Sequence, residues 1–150
     1  MNYQTLETQL LNDEGYESYP YMDTVGVWTI GYGTTRILGK PVTQETPPLT
    51  PKIARQLLRS DLYGALVDTQ DVIGVQHFEQ FNNTRQAVLV NMMYNLGKSR
   101  FCGFRLMLAA LHNFDFTEAA NQMWDSKWYS QTGKRSQRLV REMRSGTAHG

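Results

Sequence analysis

Apolar residues recur at helical spacing from the start of the chain, at Tyr3, Leu6 and Leu10 with Leu11 beside them, and Gly15 offers a stop directly after Glu14. This pattern predicts a first helix that ends on Glu14. From Tyr16 to Thr35 it changes to Tyr, Val, Thr, Trp and Ile in partial alternation, interrupted by Gly26, Gly31 and Gly33, which predicts a small β-meander with tight turns. Within Val27-Trp28-Thr29-Ile30 the strand period puts Val27 and Thr29 on one face and Trp28 and Ile30 on the other. Thr29 is therefore expected away from the core side, with its hydroxyl lining a cleft.

Lys40 to Pro48 holds Pro41, Pro47 and Pro48 and reads as an irregular loop. Thr50-Pro51 then supplies an N-cap and a proline at the first helical position, and Ile53, Leu57, Leu58, Leu62, Ala65 and Leu66 continue an apolar stripe. One helix is expected to about Thr69, long enough to bridge two lobes, with Gly64 in its middle. Ala87 to Leu96 is apolar nearly all round and stops at Gly97, as expected of a central helix buried by its neighbours. Asp115 with Glu118 makes a capping-box-like pair opening another helix, and Lys134 to Arg144 forms a last one before Gly146. The fold class is α+β: a small mixed lobe, a larger helical lobe and a cleft between them. One domain is expected over 1–150, with the mixed lobe at roughly 13–60, the linking helix at roughly 50–70, and the helical lobe at roughly 71–150 together with the N-terminal helix.

At 150 residues such a chain buries roughly two thirds of its unfolded surface, so neither cofactor nor oligomer is needed for stability and a monomer is expected. Its 41% hydrophobic and 19% charged residues are ordinary for a soluble globular protein. No apolar run approaches a membrane span, which argues against stable membrane insertion. Met1 to Glu7 lacks a basic segment followed by an apolar one, so no cleaved secretory signal is expected if Met1 is the natural start. Cys102 is the single cysteine and cannot form an internal disulfide, which fits folding in a reducing compartment; it is expected as a small buried apolar residue.

The net charge of +1 is polarised along the chain. Residues 1–30 contain Glu7, Asp13, Glu14, Glu17 and Asp23 with no Lys or Arg, whereas 127–144 contains Lys127, Lys134, Arg135, Arg138, Arg141 and Arg144 against Glu142 alone. The basic end could neutralise the acidic one or bind an anionic polymer; for Arg138, Arg141 and Arg144 individually a solvated helix face is expected. The near balance of charge, without a recognition motif, argues against nucleic acid, and no nucleic-acid partner is expected. His77, His112 and His149 lack metal-ligand spacing, and no metal is expected.

Glu14 closes a helix, where the negative end of the dipole disfavours a carboxylate and helps an acid keep its proton. Asp23 and Thr29 come next, on the predicted hairpin. Two carboxyl groups in different environments with a hydroxyl nearby are the parts a glycosidase needs to protonate a leaving oxygen and aim a water. The spacing of these three residues is weak by itself, and the residues around them make the signal specific.

Asp13-Glu14-Gly15, Asp23-Thr24-Val25-Gly26 and Thr29-Ile30-Gly31-Tyr32-Gly33 together resemble the phage-type lysozymes (glycoside hydrolase family 24), the family of the T-even bacteriophage endolysin. The resemblance continues through Asn91 to Gly97, Ser126 to Thr132, Arg135 to Arg138 and Arg144 to Thr147, and is weakest over Ile37 to Thr50 and Asp71 to Asn83. It implies a muramidase that cleaves the β-1,4 bond between N-acetylmuramic acid and N-acetylglucosamine with inversion. Glu14 matches the general acid, and Asp23 and Thr29 match the residues that hold the attacking water. Inversion calls for carboxyl groups about 6.5–9.5 Å apart. Arg135 matches an arginine that reaches across the cleft to the catalytic glutamate, where a cation lowers a carboxyl pKa against the helix-end effect, so the net direction for Glu14 stays open. Tyr94, Asn95, Gln122 and Lys127 fall at matched cleft positions, with sugar contact and the fixing of helix ends both open for Asn95 and Gln122. Trp124 and Trp128 are expected in the core.

Gly33 and Thr34 stand at the end of the Thr-Ile-Gly-x-Gly run, where many members of the family place a histidine directly after it. Thr34 takes that place here, opposite a matching Asp61, and a Thr34–Asp61 hydrogen bond of about 1 kcal/mol is expected instead of an ion pair. The resemblance implies no cofactor and a single partner, bacterial peptidoglycan. Three settings stay open: an endolysin held in the host cytoplasm until lysis and dependent on a holin pore, a lysozyme assembled into a virion tail, or the product of a resident prophage or bacterial gene. A silent wall-binding module and a transglycosylase forming an anhydro product are the alternatives, the latter disfavoured by the presence of both Asp23 and Thr29.

Overall fold

The computed structural model describes residues 1–148, so His149 lies outside the described residues. The fold is α+β, and the chain divides into two compact units: Tyr3–Gly64, and the residues from Ala65 onward together with Met1–Asn2.

The first unit opens with helix α1 (Tyr3–Glu14), which buries Leu6 and Leu10 one turn apart. Gly15 takes φ +67° and ends the helix, a backbone conformation that a side chain disfavours. Strands β1 (Glu17–Met22) and β2 (Trp28–Gly31) form an antiparallel pair in the register Glu17↔Gly31, Tyr21↔Thr29 and Met22↔Trp28, with an irregularity between Glu17 and Tyr21. Ile30 bridges to Thr34 on the way out. At Gly31 a Cβ would lie 3.3 Å from that of Ala54 and 3.4 Å from Leu49 Cδ1, so the hairpin can approach Leu49 and Ala54 this closely only because the residue is glycine.

Three expectations for this unit need correction. Thr29 is 4% exposed and Ile30 fully buried, so both faces of β2 are covered and strand alternation does not hold Thr29 off the core. Lys40 to Pro48 is not irregular throughout: β3 (Arg36–Ile37) and β4 (Lys40–Pro41) pair antiparallel, and irregular backbone begins only after Val42 donates to Thr35 O. Helix α2 (Pro51–Ile73) is capped as expected, with Thr50 Oγ1 accepting from Ile53 N at 3.3 Å, but it runs past Thr69. The Thr69 hydroxyl donates to Ala65 O at 2.7 Å within the helix, so its polar group does not break the ladder, and Gly74 at φ +95° comes after the last turn. Ala54, Leu58 and Leu62 of α2 join Leu6, Leu10, Ile30 and Val42 as the buried apolar residues of this unit.

The second unit is helical: α3 (Val75–Glu79), α4 (Asn83–Leu96), α5 (Lys98–Cys102), α6 (Arg105–His112), α7 (Phe116–Trp124), α8 (Lys127–Thr132) and α9 (Lys134–Ser145). Helix α4 is the central one, with every residue from Val88 to Met93 buried and Gly97 as its C-cap. Asp115 caps α7 by accepting from Glu118 N, as the sequence predicts. Arg85 of α4 donates to the last carbonyls of α9, at Met143 and Arg144, and a Cβ at Gly146 would come within 2.9 Å of its Cζ. His77 stacks on both His112 and Phe114, with ring centroids 4.3 and 4.8 Å away, so these two histidines pack within the unit.

Burial corrects three further expectations. Cys102 is exposed, because it ends α5, whose buried residue is its neighbour Phe101. Trp128 is buried, but Trp124 is 59% exposed: α7 turns Ala119, Ala120 and Met123 inward, and its last residue falls outside that stripe. Arg138 is not a solvated side chain, since it lies 3.6 Å from the buried Glu142 one turn later; Arg141 and Arg144 are exposed. Among the described residues no helix is long and apolar enough to cross a membrane, and no group of three or more His, Cys, Asp and Glu could hold a metal ion.

Candidate active site

The N-terminal unit carries Glu14, Asp23, Thr29, Gly33 and Thr34. Glu14 is the last residue of α1 and half-buried, placed by a helix that Leu6 and Leu10 anchor. Asp23 lies just beyond β1 and is fixed by backbone donors: its Oδ1 accepts from Val25 N at 3.0 Å and Val27 N at 2.8 Å. Its own N–H donates to Val27 O, so both backbone and side chain of Asp23 close the β1–β2 turn. A carboxylate held by two N–H groups has a set direction and keeps its second oxygen for other work. The Thr29 hydroxyl donates to Val27 O at 2.9 Å, which leaves its oxygen lone pairs as acceptors.

Tyr21 joins these groups. It is directly opposite Thr29 in the β1–β2 register. Burial, followed by the negative charges of Glu14, Glu17 and Asp23, raises its phenol above the usual tyrosine range, so the acid from α1 and the acid from the turn both act on one ring. At the rim of the hairpin, Gly33 adopts φ +84° and Thr34, 1% exposed, donates its hydroxyl to Asp61 Oδ2 at 2.8 Å. That is the bond expected from the sequence. Burial pushes the Asp61 carboxyl up to about 6, against the opposing pull of the Thr34 bond.

The C-terminal unit carries Tyr94, Asn95, Gln122, Lys127 and Arg135. Arg135, near the start of α9 and 8% exposed, donates from Nε to Asn91 Oδ1 at 2.8 Å. A guanidinium can be buried only where its donors are met, and Asn91, buried within α4, meets two of them, because its backbone carbonyl also accepts from Arg135 Nη2 at 3.4 Å. Asn95 Oδ1 accepts from the indole of the buried Trp128 at 2.7 Å, and Gln122 Nε2 donates to Glu118 Oε1 at 2.7 Å along α7. Tyr94 is half-buried on α4, and Lys127 is exposed at the first position of α8.

Two residues of these sites were not singled out by reading the sequence. Asn91 had a signal, an amide at the centre of a mostly apolar run, which demands a buried partner. Tyr21 had a weaker one, two positions before Asp23, and only the strand register shows that it faces Thr29.

Comparison with known proteins adds an independent finding. The family model described as phage lysozyme matches residues 12–145. Two proteins of Dictyostelium discoideum described as "Probable T4-type lysozyme 1" and "Probable T4-type lysozyme 2" are 26% and 25% identical, each over 95% of this chain and 95% of the relative. The pre-baseplate central spike protein Gp5 of Enterobacteria phage T4 is 27% identical over 91% of this chain, which spans 27% of that protein's length.

Proposed function

The chain belongs to the phage lysozyme family, and from that membership we propose that it is a muramidase that hydrolyses the β-1,4 bond between N-acetylmuramic acid and N-acetylglucosamine in bacterial peptidoglycan, with inversion. In this reading Glu14 gives its proton to the glycosidic oxygen as the bond breaks. The carboxylate of Asp23 takes a proton from a water on the opposite face of the sugar, and the Thr29 oxygen helps aim that water. Arg135, Tyr94, Asn95, Gln122 and Lys127 have supporting or substrate-binding roles. The observation that carries the reading is the pairing, within one unit, of a half-buried Glu14 with an Asp23 whose carboxylate two backbone N–H groups hold in place. One group can hold a proton while the other keeps a fixed lone pair, as an acid and a base must.

Clearing of purified Gram-negative peptidoglycan by the native chain and by Glu14→Gln tests it. The native chain is expected to clear the wall, and the folded variant to lose about a thousandfold in rate, the scale of a general acid. Undiminished clearing by Glu14→Gln would remove Glu14 from the role. Sedimentation with the wall, without clearing by either protein, would replace the hydrolase with a binding module. Mass spectrometry of the released muropeptides separates hydrolysis, which adds water, from transglycosylation, which leaves an anhydro end.

For the biological setting we propose an endolysin that acts on the host wall at lysis. A tail-borne lysozyme is the second reading, supported by the likeness to part of a phage central spike protein. Accumulation in infected cytoplasm and absence from purified particles is the outcome expected for the endolysin, whereas detection in particles would favour the tail.

A further inference from the structure

A two-stranded hairpin is marginal by itself and takes its place from what it packs against. The β1–β2 hairpin carries Asp23 at its turn and Thr29 on its second strand, and helix α2 meets the chain leaving it at Ala54 and at Asp61. At Ala54, a Cβ on Gly31 would come within 3.3 Å of the alanine's own. At Asp61, Oδ2 accepts from the Thr34 hydroxyl at 2.8 Å. Ala54 and Asp61 are seven residues apart, which is about two turns and about 10 Å along one face of α2. Contact at Ala54 alone would let the hairpin pivot over the helix. The bond at Asp61 sets its angle.

Hydrogen bonds and one peptide link run from Asp61 to both residues assigned to the attacking water. Thr34 exchanges both backbone bonds with Ile30, N to O at 2.9 Å in each direction, and Ile30 follows Thr29 directly in the chain. Thr29 Oγ1 donates to Val27 O at 2.9 Å, and the same carbonyl accepts from Asp23 N at 3.0 Å. Val27 N in turn donates to Asp23 Oδ1 at 2.8 Å. Val27 is thus a common support of Asp23 and Thr29, and Asp61 is the far end of the series. Thr34 and Thr29 are both buried, so bulk water does not stand in for a lost partner of either hydroxyl.

We propose that Asp61 is a positioning residue for the water step: by holding Thr34 it sets the angle of the hairpin and, through Ile30 and Val27, the place of Thr29 and of the Asp23 carboxylate relative to Glu14 on α1. The inference rests on the muramidase reading. Asp61 gives no proton to water or sugar, and its oxygen accepts from Thr34 whether the carboxyl is protonated or ionised, so what it supplies is geometry. Displacing a reacting group by about 1 Å costs up to about a hundredfold in rate, and loss of one of the two contacts with α2 shifts the hairpin by a part of that.

Asp61→Ala and Thr34→Val each remove one partner of the bond, and the double variant removes both and strands neither. On soluble glycan fragments of peptidoglycan each single variant should lower kcat about tenfold with KM near the native value, because the groups that move act on the reacting water. The double variant should also lose about tenfold and not a hundredfold, since the two substitutions break one interaction. Asp61→Asn and Thr34→Ser keep the acceptor and the donor, and should hold kcat within about twofold of native. A bond that serves stability alone would lower the urea midpoint of the single variants and leave kcat native in every folded variant, and that result overturns the inference. So does a loss in the double variant equal to the product of the single losses. Should a single variant fail to fold, the double variant, in which no buried group is left unpaired, decides. The native chain and Glu14→Gln, run alongside, separate the two failures. An inactive native chain overturns the hydrolase reading and this inference with it, whereas an active native chain, a dead Glu14→Gln and a native kcat in the folded double variant overturn only the role of Asp61.

Discussion

Asp61 holds its proton more tightly in the folded chain than an ordinary carboxyl does, with its pKa pushed from 3.8 to about 6 by burial. Its stabilising contribution is therefore fully present below about 3.8 and is lost as the pH rises through about 6. Asp61→Asn keeps an oxygen for Thr34 and carries no charge. A shift of two units corresponds to about 3 kcal/mol at most, and partial solvation reduces this, so the variant should gain about 1–2 kcal/mol at pH 7.5 and nothing at pH 3.5. Urea unfolding at the two pH values checks this, and an equal effect at both would remove the charge as its cause. The Thr34–Asp61 pair was legible in the sequence because a threonine and a carboxylate at matched positions have complementary bonding needs. Thr29, Cys102 and Trp124 were not, because hydrophobic period tells which residues share a face and not which faces become covered. The fixing of Asp23 by Val25 and Val27 was equally hidden, since it depends on backbone N–H groups that carry no residue code.

Caps made the helices readable. Thr50 before Pro51, Asp115 before Phe116, and the glycines at 15, 97 and 146 mark ends that the structure keeps. What escaped is short or lacks a cap residue: the two-residue strands β3 and β4, the single-turn helix α3, and the last turn of α2. Such pieces owe their form to surrounding packing more than to their own propensity. Within α2, Gly64 is exposed, and nothing lies within 4 Å of where its Cβ would be. An alanine there meets no obstacle and restricts the unfolded chain, so Gly64→Ala should stabilise by about 0.5–1 kcal/mol. A rise in the urea midpoint with an unchanged slope is the expected result, and a fall would mean that α2 draws on the freedom of this residue.

The whole molecule separates charge as well as structure. Residues 3–64 hold seven acidic against five basic side chains, and those from 65 on hold seven against ten. The exposed Lys134 and Arg141 of α9 belong to the positive unit. Reversing both to glutamate should weaken sedimentation with insoluble peptidoglycan about tenfold at low salt, and the two proteins should converge near 0.5 M salt, where the Debye length has fallen to about 4–5 Å. Equal binding at every salt concentration would assign wall affinity to other groups. At this scale the fold class could be read from the sequence, because a β-rich first third and a helical remainder leave different periods. The line between the units falls at Gly64–Ala65, within the unbroken helix α2. That placement restricts how such a chain can be inherited. A loop would give recombination a seam at which one half might be exchanged for a foreign one with residues gained or lost at the join. A helix has no such seam, because each residue added or removed turns every helix face beyond it by about 100°, and a hybrid must therefore match its parents in helical phase as well as in reading frame.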